Sequence, residues 1–317
     1  MSSFFESLYA NGALLTLWGA LLFHLLIPIP PAAHPVRFWQ RSLTHIANKV
    51  NSPVTSAQQQ QLSGVLALML VLLPTWAVLM ALQSLVWKVE FYQLALLLLA
   101  VEWRGNELFT RHFIDALAKE DKSSARHLLA SRVNRETASL SLLGLGKAGA
   151  ESVIMGYARN VIGVLFWFGV AGGIGALMYR LCSELARNWS PNRPGYHTFG
   201  KPAARLFTLI DYIPQKLFSI TVLLGMPIKT VQDTLSQAKA WSNRATNWLI
   251  CGYANRFGLA LGGPAIYGDE KLQRARIGGK IAPAAIHVAQ IQKHIAWRVY
   301  LWLMLQSAVM FIFYQGL

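Results

Sequence analysis

The stretch 160–179, NVIGVLFWFGVAGGIGALMY, contains no charged residue over twenty positions. A helix crosses the hydrocarbon core of a bilayer in about 20 apolar residues, so this segment is typical of a membrane span. Further uncharged runs cover 7–36, 62–87 and 299–317. The sequence therefore predicts an all-α, polytopic integral membrane protein with amphipathic and cytoplasmic helices, and it disfavours a soluble globular domain.

The charge of the chain lies between these apolar runs. The protein is 54% hydrophobic and only 14% charged, yet its formal net charge is +15. Basic segments between spans are expected in the cytoplasm, where anionic headgroups and phosphorylated metabolites can bind them. No nucleic-acid recognition motif and no long Lys/Arg block is present, so we expect the lipid bilayer, and no nucleic acid, as a partner.

We expect one membrane domain over 1–317. Its predicted spans are 8–29, 62–87, 89–103, 160–179, 206–228 and 299–314, with cytoplasmic helical segments at 104–159 and 229–298. The N-terminus, MSSFFESLY, lacks the basic region of a secretory signal, so the first run is predicted to be a retained anchor. A short amphipathic helix is predicted after Pro35, lying on the headgroups or packed on protein.

The segment 160–179 has basic residues on both sides, because Arg159 precedes it and Arg180 and Arg187 follow it. A simple crossing would place one basic flank outside the cytoplasm. Glycines interrupt the middle of the run, where a helix can break and turn back if its freed backbone is buried in protein. A re-entrant hairpin with both ends cytoplasmic is therefore predicted, and a straight helix that uses its glycines for close packing is the alternative.

The run 206–228 contains Asp211 and Lys216 on either side of Pro214. Ionisable groups are costly in lipid and usually face a protein interior or a watery cavity, which marks a candidate functional site or a transporter's coupling site. Alternatively, both lie at the headgroup boundary with Lys216 snorkelling. No Cys or His spacing typical of metal ligands occurs, so no resident metal is expected. The glycine-rich stretch 258–268 is either an anion-approaching loop or a plain turn.

A series of short motifs runs through nearly the whole chain. They are HPVR at 34–37, RET at 135–137, ESV at 151–153, LFW at 165–167 with the glycine pair at 172–173, FG at 199–200, AAR at 203–205, DYIP at 211–214, and LGGP to YG at 261–268. In this order and spacing they resemble the CobD/CbiB family.

The resemblance implies a multi-pass bacterial inner-membrane protein of the late cobalamin pathway. Such a protein would join adenosylcobyric acid to aminopropanol or its phosphate by amide formation, as an adenosylcobinamide-phosphate synthase, with ATP and Mg²⁺ as expected cofactors. The catalytic candidates are Glu151 and Asp211, which lie in these motifs, and Glu184, a carboxylate that could partly compensate for family carboxylates that this chain lacks. The substrate-binding or phosphate-binding candidates are the motif residues His34, Arg37, Arg135, Glu136, Arg205, Gly262, Gly263 and Tyr267, together with Lys216 from the apolar run 206–228.

This chain departs from the family pattern where that pattern carries further carboxylates. The corresponding positions are Met155-Gly156 and Arg159-Asn160, and Arg159 inverts the local charge in a way that repels Mg²⁺. Turnover is therefore left open. The alternative function is that of a catalytically degenerate membrane regulatory or binding protein resembling the AmpE group, which shares the Leu-Phe-Trp, Gly-Gly and Asp-aromatic-aliphatic-Pro core.

Overall fold

A computed structural model describes residues 12–26, 35–52, 54–268 and 270–314. The helices are α1 (Gly12–Leu26), α2 (Pro35–Val50), α3 (Ala57–Leu85), α4 (Val89–Ala100), α5 (Trp103–Ala118), α6 (Lys122–Ala130), α7 (Leu142–Tyr157), a π-helical turn (Ala158–Gly163), α8 (Val164–Asn188), α9 (Lys201–Leu223), α10 (Ile228–Ala238), α11 (Asn247–Arg256) and α12 (Ala285–Tyr314). Four three-residue strands, β1 (Ala260–Gly262), β2 (Ala265–Tyr267), β3 (Glu270–Leu272) and β4 (Arg276–Gly278), form two antiparallel pairs, β1 with β4 and β2 with β3. The predicted all-α class is confirmed.

Four helical segments of the described chain are long and apolar enough to cross a bilayer: Ala57–Leu85, Leu142–Asn188, Lys201–Leu223 and Ala285–Phe313. In the first and last of these, only 22% and 28% of the most apolar window is buried against protein. Apolar side chains that point away from the protein in such numbers require a lipid environment. The molecule is therefore a polytopic helical membrane protein, as predicted.

The helix bounds differ from the predicted spans at several places. The last helix begins at Ala285, so 285–298, which was assigned to a cytoplasmic segment, is part of it. The predicted span 89–103 is α4, whose 12 residues extend about 18 Å and fall short of a 30 Å core. For the predicted span 8–29, the described part is the 15-residue helix α1.

The segment from α7 to α8 forms a helical hairpin. At Ala171 (φ −137°, ψ 24°) and Gly172 (φ 63°, ψ −161°) the backbone leaves the helical region. Beyond this break the chain returns beside itself, since the Tyr179 hydroxyl packs directly on Gly163. In a straight helix these two residues would be about 24 Å apart. The chain thus reverses within the glycine-rich stretch where the sequence predicted a break.

The tip of the hairpin is held by α4. The backbone N–H of Gly173 donates to Gln93 Oε1, and a side chain at Gly172 or Gly173 would collide with Gln93. A backbone break at membrane depth is tolerated only where the freed polar groups find partners inside the protein. The glycines at the tip therefore serve both the left-handed turn and the close approach of α4.

Helix α9 runs continuously through Pro214. A proline inside a helix lacks the N–H that would bond the carbonyl four residues earlier. Here that carbonyl belongs to Ile210, and it accepts a 3.1 Å hydrogen bond from Trp167 Nε1 on the hairpin. The tertiary contact satisfies the carbonyl and ties α9 to α8.

Helix α2 lies along the returning arm of the hairpin. Trp39 Nε1 donates to the Leu181 carbonyl at 3.2 Å, and Trp189 Nε1 donates to the Leu43 carbonyl at 3.0 Å. The buried face of α2 therefore packs on α8, and its opposite face is exposed. This arrangement corresponds to the predicted amphipathic helix.

A candidate anion-binding cavity at the foot of the hairpin

A cavity of about 520 Å³ opens where the two arms of the hairpin meet the polar segments. The reversal of the chain brings Met155 and Gly156, from one arm, opposite Ser183 and Glu184, from the other. Five arginines and two glutamates line it: Arg132, Arg135, Arg159, Arg187, Arg274, Glu151 and Glu184. The cavity is therefore strongly cationic.

The Glu151 centre joins α7 to the strand-bearing loop. Arg274 binds this carboxylate with both ends of its guanidinium, at 3.0 Å and 3.3 Å, and Arg135 lies 3.4 Å from it. The Gly262 N–H donates to Glu151 Oε1 at 2.9 Å, while Arg274 Nε donates to the Gly263 carbonyl at 3.1 Å. Both predicted loop glycines thus act on Glu151 or its partner through the backbone.

The Asp211 centre lies inside the hairpin and is 0% exposed. Arg159 Nε lies 3.1 Å from Asp211 Oδ2. Tyr179 donates its hydroxyl to Oδ1 at 2.7 Å, and Gln215 donates to the same oxygen at 2.8 Å. Asp211 thereby binds one residue from each arm. Arg159 provides the cation that a buried carboxylate requires, which explains why a basic residue is compatible with this position.

The Glu184 centre joins the returning arm to α2 and to the loop before α5. Arg180 bonds Glu184 at 2.9 Å and also pairs with Glu102. Gln40 Nε2 donates to the other oxygen of Glu184 at 2.7 Å. Arg132 lies 3.5 Å from Glu102 and donates to Asn106 Oδ1. All three predicted catalytic carboxylates are thus bound to guanidinium groups.

The three centres together contain five arginines and four carboxylates, and Arg187 in the cavity lining brings the arginines to six. Burial lowers the pKa of Arg135 and of Arg132, although neighbouring carboxylates oppose that shift. For Arg274 burial acts in the same direction, but the charge and hydrogen bond of Glu151 outweigh it and raise the pKa. Every arginine in the cluster is charged at neutral pH. The surplus of about two positive charges matches a dianion.

Of the predicted binding residues, Arg135, Gly262, Gly263 and Tyr267 belong to this site. Glu136 is exposed and contacts the strand loop only through its backbone N–H, which donates to the Ile266 carbonyl at 2.7 Å. His34 lies outside the described residues.

Three other predicted residues do not line the cavity. Arg37 lines a separate surface depression along α2, and Arg205 lines a depression that adjoins the cavity, since Pro191, Ala204 and Thr208 line both. Lys216 bonds Asn247 Oδ1 at 2.5 Å and stacks over Trp248, 4.0 Å from the ring centroid. The two ionisable residues of this run differ in exposure, since Asp211 is buried and Lys216 is partly exposed.

Sequence reasoning missed Arg132, Arg274 and the binding role of Arg187. Arg187 donates to the Ser131 carbonyl and has no carboxylate partner among the described residues. Its location at the end of a basic-flanked apolar run was the only local signal. Arg274 bonds a residue far away in the chain, a pairing that no local pattern encodes.

The donor set does not fit a metal ion held by the protein. Within the ranges that the structure covers, no three His, Cys, Asp or Glu side chains converge on a point. Each candidate carboxylate is already bonded to an arginine, whose charge opposes a nearby Mg²⁺. The cavity is suited to anions bound directly by guanidinium groups.

Fold and site together define a polytopic helical membrane protein with a cationic ligand cavity between its hairpin and its polar loops. The model of the family described as CobD/Cbib protein matches residues 17–297. The chain belongs to this family.

Three curated relatives are similar to this chain over most of their length. The chain is 31% identical to the cobalamin biosynthesis protein CobD of Stutzerimonas stutzeri, over 92% of this chain and 95% of that protein. It is 29% identical to CobD of Chromobacterium violaceum, over 91% and 94%. Identity to the cobalamin biosynthesis protein CbiB of Salmonella paratyphi A is 23%, over 83% and 85%. No solved structure matches.

Proposed function

We propose that this protein acts in cobalamin biosynthesis at the bacterial inner membrane, where it binds adenosylcobyric acid and attaches aminopropanol or its phosphate through an amide bond. Its family and the names of its relatives support this function. These relatives do not favour the AmpE-like regulatory alternative. A C–N bond forms between a corrinoid carboxylate and the amine, and one carboxylate oxygen leaves with two protons of the ammonium group as water, or with phosphate where ATP activates the carboxylate.

The observation that carries the proposal is the surplus of guanidinium groups in a cavity of about 520 Å³ at the foot of the hairpin. Adenosylcobyric acid carries a carboxylate, and aminopropanol phosphate carries a phosphate. Arginine binds such groups through parallel N–H···O bonds, which fix orientation as well as charge. The basic flanks of the apolar segments favour a cytoplasmic location for this cavity.

The residues divide into two roles. Arg187 and Arg159 present guanidinium groups to the cavity and would bind the incoming anions. Glu151 and Asp211 are positioning residues in this arrangement, because each is saturated by donors and acts through the arginines that it holds.

ATP and Mg²⁺ are expected from the family resemblance, since a carboxylate must be activated before an amine attacks it. The protein's own donors do not fit Mg²⁺, because each candidate carboxylate is bonded to an arginine. The same saturation of the three carboxylates favours a second candidate, binding of the ligand without turnover.

The test uses the full chain purified in mild detergent. Calorimetry would measure binding of adenosylcobyric acid and of aminopropanol phosphate, and mass spectrometry would then follow product formation with ATP and Mg²⁺. Binding with formation of the amide supports the synthase function, and corrinoid binding without product supports the second candidate. If neither compound binds, the proposed function is wrong.

A further inference from the structure

Helix α2 carries a row of cationic or titratable side chains along its exposed face. They are spaced four residues apart: Arg37, Arg41, His45 and Lys49. Residues at this spacing lie on the same side of a helix, so they form one stripe. The opposite face is buried, with Leu43 and Ala47 fully inaccessible. The stripe is therefore the outward surface of a helix that is firmly docked on its other side.

Nothing in the described chain neutralises this stripe. The segment 35–50 contains no Asp or Glu. Among the described residues, no carboxylate forms an ion pair with Arg37, Arg41 or Lys49. Like charges four residues apart repel one another and disfavour the helix. A stripe of this kind indicates that an anionic partner covers it.

The surface beside the stripe offers neutral donors as well. A shallow depression of about 590 Å³ lies between α2 and the end of α8. Gln40, Thr44, Asn48 and Asn188 line it together with the cations. This composition suits an oxyanion with polar substituents, which amide and hydroxyl donors can bond around the charged group.

Contacts connect the start of α2 to an exposed aromatic residue. The exposed ring of Tyr300 lies 5.8 Å from the buried ring of Trp103, centroid to centroid. Exposed tyrosines of membrane proteins concentrate at the level of the headgroups. Trp103 directly follows Glu102, which pairs with Arg180, and Trp39 of α2 bonds the next residue, Leu181.

An exposed apolar side chain, that of Phe38, lies next to Arg37, the first cation of the stripe. Phe38 is 75% exposed and belongs to neither the hairpin contact nor the cavity. A basic helix with an exposed aromatic residue is typical of binding at the boundary between headgroups and acyl chains. Free phosphorylated metabolites would leave this ring in water, whereas a phospholipid would cover it.

We propose that the exposed face of α2 binds anionic phospholipid, with Arg37 and Arg41 on the phosphodiester and Phe38 against the acyl chains. This site is separate from the cavity, and its occupancy stabilises α2 against the returning arm. The hydrogen bond from Gln40 to Glu184 joins the lipid-facing helix to one of the three carboxylate centres.

The experiment measures binding of fluorescent phosphatidylglycerol to the full chain in a zwitterionic detergent. The triple variant Arg37→Gln/Arg41→Gln/Lys49→Gln removes three cations from α2. Each cation near the surface contributes about fivefold, so we expect binding on the order of a hundredfold weaker. The matched control, Lys119→Gln/Lys122→Gln/Lys239→Gln, loses the same charge at exposed positions on other elements. It should change affinity by less than about twofold, since exposed charges beyond a Debye length are screened.

A charge-conserving variant, Arg37→Lys/Arg41→Lys, keeps the result interpretable if the first triple variant unfolds, and it should retain most of the binding. Equal loss in both triple variants contradicts the proposal. Equal binding of phosphatidylcholine would also contradict it. Displacement of the lipid by glycerol phosphate at the same concentration would contradict it as well, because it would show that the stripe binds a free metabolite.

Discussion

The Glu151 centre and the Asp211 centre both pair a buried carboxylate with arginine, but their surroundings differ. Each holds a carboxylate against arginine, but Glu151 binds two guanidinium groups and a backbone N–H from a polar loop. Asp211, fully buried, binds one guanidinium, one hydroxyl and one amide, all from membrane helices. The first centre docks a loop onto a helix, and the second holds together the two arms of the hairpin and α9. The comparison shows that both carboxylates hold elements of the fold together, whatever their part in the chemistry.

The largest loss of stability is expected from Asp211→Ala. It leaves the Tyr179 hydroxyl and the Gln215 amide buried without an acceptor, while Arg159 loses its counter-ion. Breaking a buried pair in this way should cost about 3 kcal/mol of unfolding free energy. Unfolding in mixed detergent micelles, followed by circular dichroism, measures this cost.

The double variant Arg159→Gln/Asp211→Asn is the control for charge. It removes both charges and retains an acceptor for the tyrosine, so it should lose much less than the sum of its single variants. Additive losses would show that the pair does not form.

A smaller and more local effect is expected from Glu151→Gln. Arg135 and Arg274 lose their counter-ion, but both are partly hydrated and the Gly262 N–H keeps an oxygen acceptor. We expect a loss of about 2 kcal/mol and faster proteolysis within 260–278, while the hairpin stays intact. The matched variant Glu136→Gln changes an exposed side chain that only caps the Ala138 N–H, so its digestion rate should equal that of the wild type. Unchanged digestion of the Glu151 variant would show that this centre does not dock the loop.

The cavity itself is tested by Arg187→Gln, which removes a cation without leaving any carboxylate of the described chain unpaired. Loss of one charge-assisted hydrogen bond should weaken binding of aminopropanol phosphate by about tenfold. Arg205→Gln makes the same chemical change outside the cavity and should leave the dissociation constant within about twofold of the wild type. Equal effects of the two variants in calorimetry would mean that the ligand is not bound in this cavity.

The smallest effect is expected from removal of divalent metal. Since guanidinium groups neutralise every candidate carboxylate, EDTA should change the affinity for aminopropanol phosphate by less than about twofold. A loss of more than tenfold that added Mg²⁺ restores would show that a carboxylate exchanges its arginine for the metal.

Features encoded locally were predictable from the sequence. Apolar length identified α3, and the glycines near residue 172 predicted a break, because both depend on neighbouring residues. The start of α12 was missed, since Lys293 and Arg298 lie within a helix that the charge pattern assigned to the cytoplasm. Its apolar face packs inward at Ile291 and Ile295 while the cations lie elsewhere on the surface.

The candidate site was only partly predictable. The motifs identified Glu151 and Asp211 as special positions, but their partners Arg274 and Tyr179 come from other elements and meet them only after the chain has folded. Arg37 and Arg205 were predicted to bind the same ligand, because a short sequence motif does not show where its side chain points in the folded protein. In the structure neither side chain lines the cavity: Arg37 lies on a separate depression and Arg205 on an adjoining one.

The reversal at Ala171 and Gly172 creates the cavity, so the distance between its two arms is the most direct measurement. Spin labels would be placed at Ser152 and Ser190, which both line the cavity, after the buried Cys182 and Cys251 are replaced by alanine. Pulsed electron paramagnetic resonance in lipid nanodiscs should give a distance below about 25 Å. A value near 57 Å, the length of a continuous helix over this interval, would contradict the hairpin and with it the cavity.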